Sequence, residues 1–152
     1  MPPRVISDID ELNALTGQEV AAGDWLEVTQ DRINQFAGAT GDHQWIHVDV
    51  ARATRELGAP IAHGFLTLSL IPALVRTAIT FAAPFRLTLN YGLNRVRFTH
   101  TVRASSRVRA RMFLLAVTEI EGGWQVAWRV TVEIEGVDKP ACVAETLSRH
   151  LI

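Results

Sequence analysis

The stretch "GFLTLSLIPALVRTAI", residues 64–79, constrains the fold more than any other part of the chain. It has the length of a helix, and its only polar members are Thr67, Ser69, Arg76 and Thr77. A helix that is apolar nearly all round has no face to give to water, so other elements must enclose it. At ~1.5 Å per residue it spans roughly 24 Å. Pro72 predicts a kink or a division, because it removes an N–H and clashes with the preceding turn. The wider charge-free run Gly58 to Val75 is interrupted by Pro60, His63, Ser69 and Pro72 and closed by Arg76. It therefore predicts a buried segment rather than a membrane span.

After Pro84 the period changes to two. In "WQVAWRVTVEIE", Trp124, Val126, Trp128, Val130, Val132 and Ile134 share one face, while Gln125, Arg129, Thr131, Glu133 and Glu135 share the other. That alternation predicts a half-buried antiparallel strand. Residues 106–120 form its partner through the turn "EGG", and residues 140–151 form a further strand reached through "GVDK". In residues 86–98, Leu87, Leu89, Tyr91 and Leu93 share one parity but Val96 and Phe98 take the other. A β-bulge between Gly92 and Arg95 accounts for the slip.

The first half reads as helical. Residues 7–15 predict a short helix with Ser7 as N-cap and Gly17 beyond its end. "GDWLEV" is a short strand. Thr29 caps a helix to about Ala39, with Ile33, Phe36 and Ala37 on one face and Gly41 as its stop. Residues 42–48 form a loop, and Asp49 caps "VARATREL", which Gly58 and Pro60 end. The expected class is α+β: a curved antiparallel sheet wrapped around a long central helix. The near-uniform apolarity of residues 64–75 favours this over a cone in which the helix covers only one face of the sheet.

With 152 residues, 48% hydrophobic and 20% charged, the chain fits one globular domain over residues 1–152. A net charge of -1 offers no electrostatic case for nucleic acid or an anionic membrane surface. The single cysteine, Cys142, excludes an intrachain disulfide and a thiolate metal cage, and as a buried inert thiol it suits a reducing cytoplasm. The N-terminus "MPPRVISDIDELN" has no apolar h-region, which again predicts a cytoplasmic protein.

The ionisable groups gather in "TGDHQWIH", residues 40–47. Asp42 and His47 are five apart; on a regular helix that is about 140° of rotation, so they share a target only across a turn. A carboxylate and an imidazole aimed at one point hold a water and move protons to and from it. Alone, the spacing fits a solvated polar loop equally well. His43 and His47 at i, i+4 invite a metal, with Asp42 or Asp49 as third ligand, but no Glu follows His43 as a zinc protease helix requires, and no metal is expected. His63 and Gly64 open the apolar helix, where free N–H groups and the dipole suit a carbonyl oxygen gaining charge. The plain alternative is that Gly64 permits tight packing and His63 is a satisfied core histidine. Together, an acid–base pair and a carbonyl-polarising helix end beside an apolar core suit an α,β-unsaturated thioester.

The segments "FAGATGDHQWIHVDVARA" and "GAPIAHGFLTLSLIPAL", with "NYGLNRVRF", resemble the MaoC-like (R)-specific enoyl-CoA hydratases, also called 3-hydroxyacyl-thioester dehydratases. The resemblance covers most of residues 17–112. It implies a hot-dog fold and a homodimer with the thioester at the subunit interface. It implies reversible hydration of trans-2-enoyl-CoA to (R)-3-hydroxyacyl-CoA, with Asp42 and His47 as the catalytic pair. His63 and Gly64 match the family's His-Gly, the Gly64 amide being the oxyanion donor, and Ser69 matches a frequent helix serine. No cofactor is implied beyond the coenzyme A or acyl carrier of the substrate. Gln44-Trp45 stands where the family often has Asn-Pro, so Trp45 is expected to narrow or stack the acyl entrance. Thr101-Val102-Arg103-Ala104-Ser105 replaces a Pro-Val-x-x-Gly turn. A thioesterase on the same fold and a non-catalytic acyl-binding partner subunit are the competing readings.

Of the remaining residues, Arg95 and Arg97 read as a solvated strand edge. Arg107, Arg109 and Arg111 read as a solvent face or partners of Glu133 and Glu135. Trp124 and Trp128 read as core, His100 and His150 as surface, and His43 as a bystander.

Overall fold

Local capping chemistry sets the first third of the chain in this computed structural model, which describes residues 1–82 and 85–152. Pro84, from which the change of period is counted, lies outside them. After a short strand β1 (Arg4–Ile6), helix α1 spans Ile9–Ala14. Its N-cap is Asp8 rather than Ser7: Asp8 Oδ1 accepts the Glu11 N–H at 2.8 Å. Ser7 instead gives both its N–H and its hydroxyl to Glu11 Oε2, each at 2.7 Å. The two residues share the start between them, as a capping box does.

Strands β2 (Glu19–Ala22) and β3 (Leu26–Val28) follow, then α2 (Gln30–Thr40). Thr29 caps α2 by accepting the Arg32 N–H, and Ile33 and Ala37 bury its inner face, as the spacing predicts. The expected loop at 42–48 is shorter. Residues 45–48 close into a one-turn helix, α3 (Trp45–Val48), because Gln44 and Trp45 offer carbonyls to the His47 and Asp49 N–H groups. Asp49 caps α4 (Val50–Leu57), and Gly58 ends it.

The apolar stretch is divided, as Pro72 predicts, into α5 (Gly64–Ser69) and α6 (Ile71–Ala78). Pro72 sits in the first turn of α6, where a missing N–H costs nothing. Residues 79–81 leave the helix as β4 (Ile79–Phe81), which pairs in parallel with β1.

Four long strands complete the chain: β5 (Leu87–Phe98), β6 (Ser106–Ile120), β7 (Gly123–Ile134) and β8 (Val137–Leu151). The sheet runs β2-β6-β7-β8-β5, and β3 extends the β2 edge of β6. All these pairings are antiparallel. The β7–β8 turn is Glu135-Gly136 rather than "GVDK", so Val137 already belongs to β8 and pairs with Ile134. β5 slips register twice, between Asn90 and Gly92 and between Leu93 and Arg95, where its parity changes.

The inner faces of β6 and β7 meet the helix pair. Val108, Ala110, Met112 and Leu114 lie against Leu66, Leu70, Ile71 and Leu74, with Val126, Trp128, Val130 and Val132 beside them. Cys142 is wholly buried in this core, and burial pushes its thiol pKa up to about 11. On the outer face Arg109 pairs with Glu133, Arg107 with Glu135, and Arg111 with both Glu133 and Glu19.

The sheet curls around the helices without enclosing every side. Phe65 is 68% exposed, and Ser69 and Arg76 continue that open stripe down the helix pair. Residues 88–93 of β5 and 146–150 of β8 face the helices across a groove of about 780 Å³, while Phe98 at the other end of β5 packs on Gly64. The apolarity of residues 64–75 therefore serves the core on one side and the groove on the other.

Candidate active site

Gly41 adopts φ +81° and turns the chain out of α2, a conformation that residues with a Cβ rarely adopt. Asp42 then lies in an exposed turn, where its carboxylate accepts the Gln44 N–H at 3.3 Å. Helix α3 carries His47 inward, to 6% exposure. The His47 Nδ1 lies 2.6 Å from the Ile61 carbonyl. A carbonyl only accepts, so Nδ1 carries the proton and Nε2 is bare in the neutral ring. Gln30 of α2 donates to the His47 carbonyl at 2.8 Å and ties α3 to α2.

His63, the residue before α5, bonds through Nε2 to the Asp42 backbone carbonyl at 3.0 Å. Its Nδ1 is buried with no partner among the described residues. The His47 and His63 rings stack, with centroids 3.7 Å apart and planes 22° from parallel. Phe36 packs against His63 at 4.9 Å. A turn, a one-turn helix and a helix start thus bring Asp42, His47 and His63 together, with one ligand atom of each within 4.8 Å of the others.

A water bridges a gap of that size with two hydrogen bonds of roughly 2.8 Å each. Three donor atoms also invite a metal, with His63 in the set in place of the His43 that the sequence spacing offered. Stacking opposes this, because in-plane lone pairs of stacked rings run side by side rather than converging as tetrahedral coordination needs. Burial lowers the His47 pKa from its ordinary 6.5, against the bond to the Ile61 carbonyl, and the neighbouring His63 lowers it further against the charge of Asp42.

Gly64 opens α5, and the side-chain position it lacks is filled by Phe98: a Cβ there would lie 2.9–3.1 Å from the ring. A side chain at 64 would therefore displace the half-exposed Phe98 ring, so packing favours glycine, and the backbone N–H at the helix start comes with it. Ser69 is not in the Asp42–His47 cluster but lines the groove, together with Leu68, Pro72 and Val75. Trp45 is half-buried on α3 with the Arg52 guanidinium 4.0 Å above its ring, and it does not line the groove. Its position against Arg52 accounts for an aromatic residue there without an acyl entrance. His43 is exposed. The groove lies away from the cluster: it starts at Leu68, about one helical turn beyond Gly64, and ends near Phe81, Phe85 and His150.

His150 overturns its expected surface position. It is 6% exposed, bonded to Thr88 Oγ1 at 3.2 Å and Ser148 Oγ at 2.9 Å, and burial lowers its pKa to about 4. The signal was present in the alternation: His150 shares its parity with Cys142 and Ala144, on the inner face of β8. An unfolded histidine protonates near pH 6.5. As pH falls from there towards 4, the unfolded state takes a proton that the folded state refuses, so stability falls, on the order of 2–3 kcal/mol. His150→Phe is expected to flatten this slope. Urea midpoints of both proteins at about pH 7 and about pH 4.5 measure it, and equal slopes would refute the assignment.

The MaoC like domain model matches residues 11–135. The chain is 46% identical over 150 residues to the 3-hydroxyacyl-thioester dehydratase Z of Mycobacterium tuberculosis, covering 97% of this chain and 99% of that one. Among solved structures, a monoamine oxidase regulatory protein from Archaeoglobus fulgius superposes with TM-score 0.75 at 20% identity, covering 99% of this chain and 98% of the other. The R-hydratase PhaJ1 from Pseudomonas aeruginosa superposes with TM-score 0.67 at 23% identity, covering 90% and 81% respectively.

Proposed function

The chain belongs to the MaoC-like dehydratase family and is a hydro-lyase of the hot-dog fold, and from that premise we propose that it interconverts trans-2-enoyl and (R)-3-hydroxyacyl thioesters through Asp42 and His47. The observation that carries the residue assignment is the convergence of the Asp42 carboxylate with a ring nitrogen of His47 and of His63 within 4.8 Å, His63 standing directly before the Gly64 helix start. A water held by that pair loses a proton as its oxygen bonds the β-carbon. The pair returns a proton to the α-carbon, and the double bond between them becomes single. The thioester oxygen gains charge in between, and the Gly64 N–H donates to it. Dehydration runs the same steps in reverse. The buried His63 orients the turn by holding the Asp42 carbonyl.

In this reading the acyl chain leaves the cluster past Ser69 and enters the groove, whose volume of about 780 Å³ falls within the usual range for ligand pockets. Trp45 with Arg52 supports α3 from outside. Residues 1–152 act as one cytoplasmic domain, and the thioester's own coenzyme A or acyl carrier is the only cofactor involved. No helix among the described residues is long and apolar enough to cross a membrane.

Crotonyl-CoA offered to the purified protein is the direct test. Loss of enoyl absorbance with (R)-3-hydroxybutyryl-CoA as product supports the proposal. Release of free thiol without that product moves the water to the carbonyl carbon and makes the protein a thioesterase. Inactivity that a second polypeptide relieves makes it a partner subunit.

The proposal includes a homodimer. β5 ends the sheet with no strand on its outer edge among the described residues, and it exposes Leu89, Tyr91, Leu93 and Phe98. An apolar edge of this kind invites a second copy. Leu89→Asp is expected to shift the mass in solution from twice 16.8 kDa to 16.8 kDa by light scattering. A variant that remains dimeric places the interface elsewhere.

A further inference from the structure

The groove is apolar along Leu68, Ile71, Val75 and Trp128, and among the polar residues of its wall three are bonded to one another. Thr88 on β5 stands directly opposite His150 on β8, and Ser148 lies two residues earlier on the same face of β8. Their hydroxyls occupy the two ring nitrogens of His150. Phe81 and Phe85 cover the imidazole, with centroids at 5.4 and 4.8 Å. Thr88, Ser148, His150 and both phenylalanines face the groove.

Burial among these rings keeps the imidazole neutral, and a neutral imidazole has one N–H and one bare nitrogen. The trio therefore owns a donor hydrogen on each hydroxyl and one on the ring, but only two links to fill. If Nδ1–H donates to Thr88, the Thr88 hydroxyl hydrogen is left over. If Nε2–H donates to Ser148, the Ser148 hydrogen is left over. Either tautomer thus presents one uncommitted O–H on the groove wall. An acceptor oxygen on a chain lying in the groove takes that hydrogen in place of water.

We infer that Thr88, Ser148 and His150 form a subsite for an oxygen substituent, a hydroxyl or keto oxygen, carried on the acyl chain away from the thioester. This rests on the hydro-lyase reading above and extends it from the reacting carbons to the rest of the chain. It makes oxygenated acyl thioesters a preferred substrate class. Ser148 and His150 do not form a nucleophile and base. The second partner of the ring is the Thr88 hydroxyl rather than a carboxylate, and the buried ring is too weakly basic to activate a serine at neutral pH.

The test is a ladder of 2-enoyl-CoA substrates in which each chain length is made with a terminal methyl and with a terminal hydroxyl. At one or more lengths the hydroxyl form is expected to exceed its methyl counterpart by about 10-fold in kcat/KM, the worth of one hydrogen bond to a waiting donor. The Thr88→Val, Ser148→Ala double variant is expected to lose this preference, its hydroxyl-to-methyl ratio of kcat/KM falling to about 1. A methyl preference at every length overturns the inference, as does a hydroxyl preference that survives the double variant. Calorimetric binding of saturated acyl-CoA pairs to the unsubstituted protein reads the subsite without turnover. Tighter binding of a hydroxyl-ended chain there supports it, and equal binding at every length overturns it, whether or not the double variant folds. Failure to hydrate any enoyl thioester counts against the proposed reaction instead, and the binding comparison still decides the subsite.

Discussion

Asp42→Asn and His47→Gln are each expected to lower kcat/KM for crotonyl-CoA hydration by about 10²-fold or more, with the fold intact. General acid–base groups contribute roughly 10²–10⁴ in rate, and 10²-fold corresponds to about 2.7 kcal/mol of transition-state stabilisation. Asparagine keeps the size and one acceptor of Asp42 but removes its charge and its basicity. Glutamine keeps a hydrogen-bonding arm at position 47 but has no nitrogen that takes up a proton. Because both side chains hold one water, the double variant is expected to lose little more than the worse single one. The pH profile carries a second signature. In the proposed mechanism His47 works from its neutral, bare Nε2, and burial lowers its pKa from 6.5. The acid limb of kcat/KM therefore falls below pH 6.5, and activity is lost as pH drops through that lowered value. Turnover within a few-fold of wild type in both folded single variants would remove the pair from the chemistry.

Leu74→Ala is expected to cost about 2–5 kcal/mol of folding stability, the range for a large-to-small change in a closed core. Leu74 has no exposed surface and sits where α6 meets the sheet. Its carbonyl also accepts the Thr77 hydroxyl at 2.7 Å, and that hydroxyl accepts the Asp24 N–H at 3.0 Å. The backbone therefore has little freedom to collapse into the space left behind. Against a total of roughly 5–15 kcal/mol the loss is large. Phe65, on the same helix pair, is the control: at 68% exposure, Phe65→Ala is expected to change monomer stability by no more than about 0.5 kcal/mol. Urea midpoints of the two variants at one protein concentration separate the cases. A Leu74→Ala midpoint equal to that of Phe65→Ala would mean that the helix pair does not anchor the core.

Elements whose signal lies within a few residues were legible in the chain. Thr29 and Asp49 cap the helices they were expected to cap, and Gly41 and Gly58 end them, because a cap needs only its own turn. The alternation in β7 placed Val126, Trp128, Val130 and Val132 inside, because a two-residue period has only two faces to choose between. The Ser7–Asp8 shift at α1 and the displaced β7–β8 turn are errors of one to four residues, made where several residue types suit the same role. The β1–β4 pairing was not legible. Strands of three residues carry no measurable alternation, and their partners lie more than seventy positions apart.

The candidate site divides along the same line. By itself the sequence determined that Asp42 and His47 sit off any common helix face, that His63-Gly64 opens an apolar helix, and that Pro72 divides it, since each depends on backbone geometry over one or two turns. Only the tertiary structure decided that His63 holds the turn bearing Asp42, that Phe98 fills the space Gly64 leaves, and that His150 turns inward to Thr88 and Ser148. The His63–Asp42, Phe98–Gly64 and His150–Thr88 contacts join residues 21 to 62 positions apart. The alternation in β8 gave His150 its inward face, but no local pattern encodes which distant residues His150, His63 and Gly64 meet; the curl of the sheet onto the helix pair decides that.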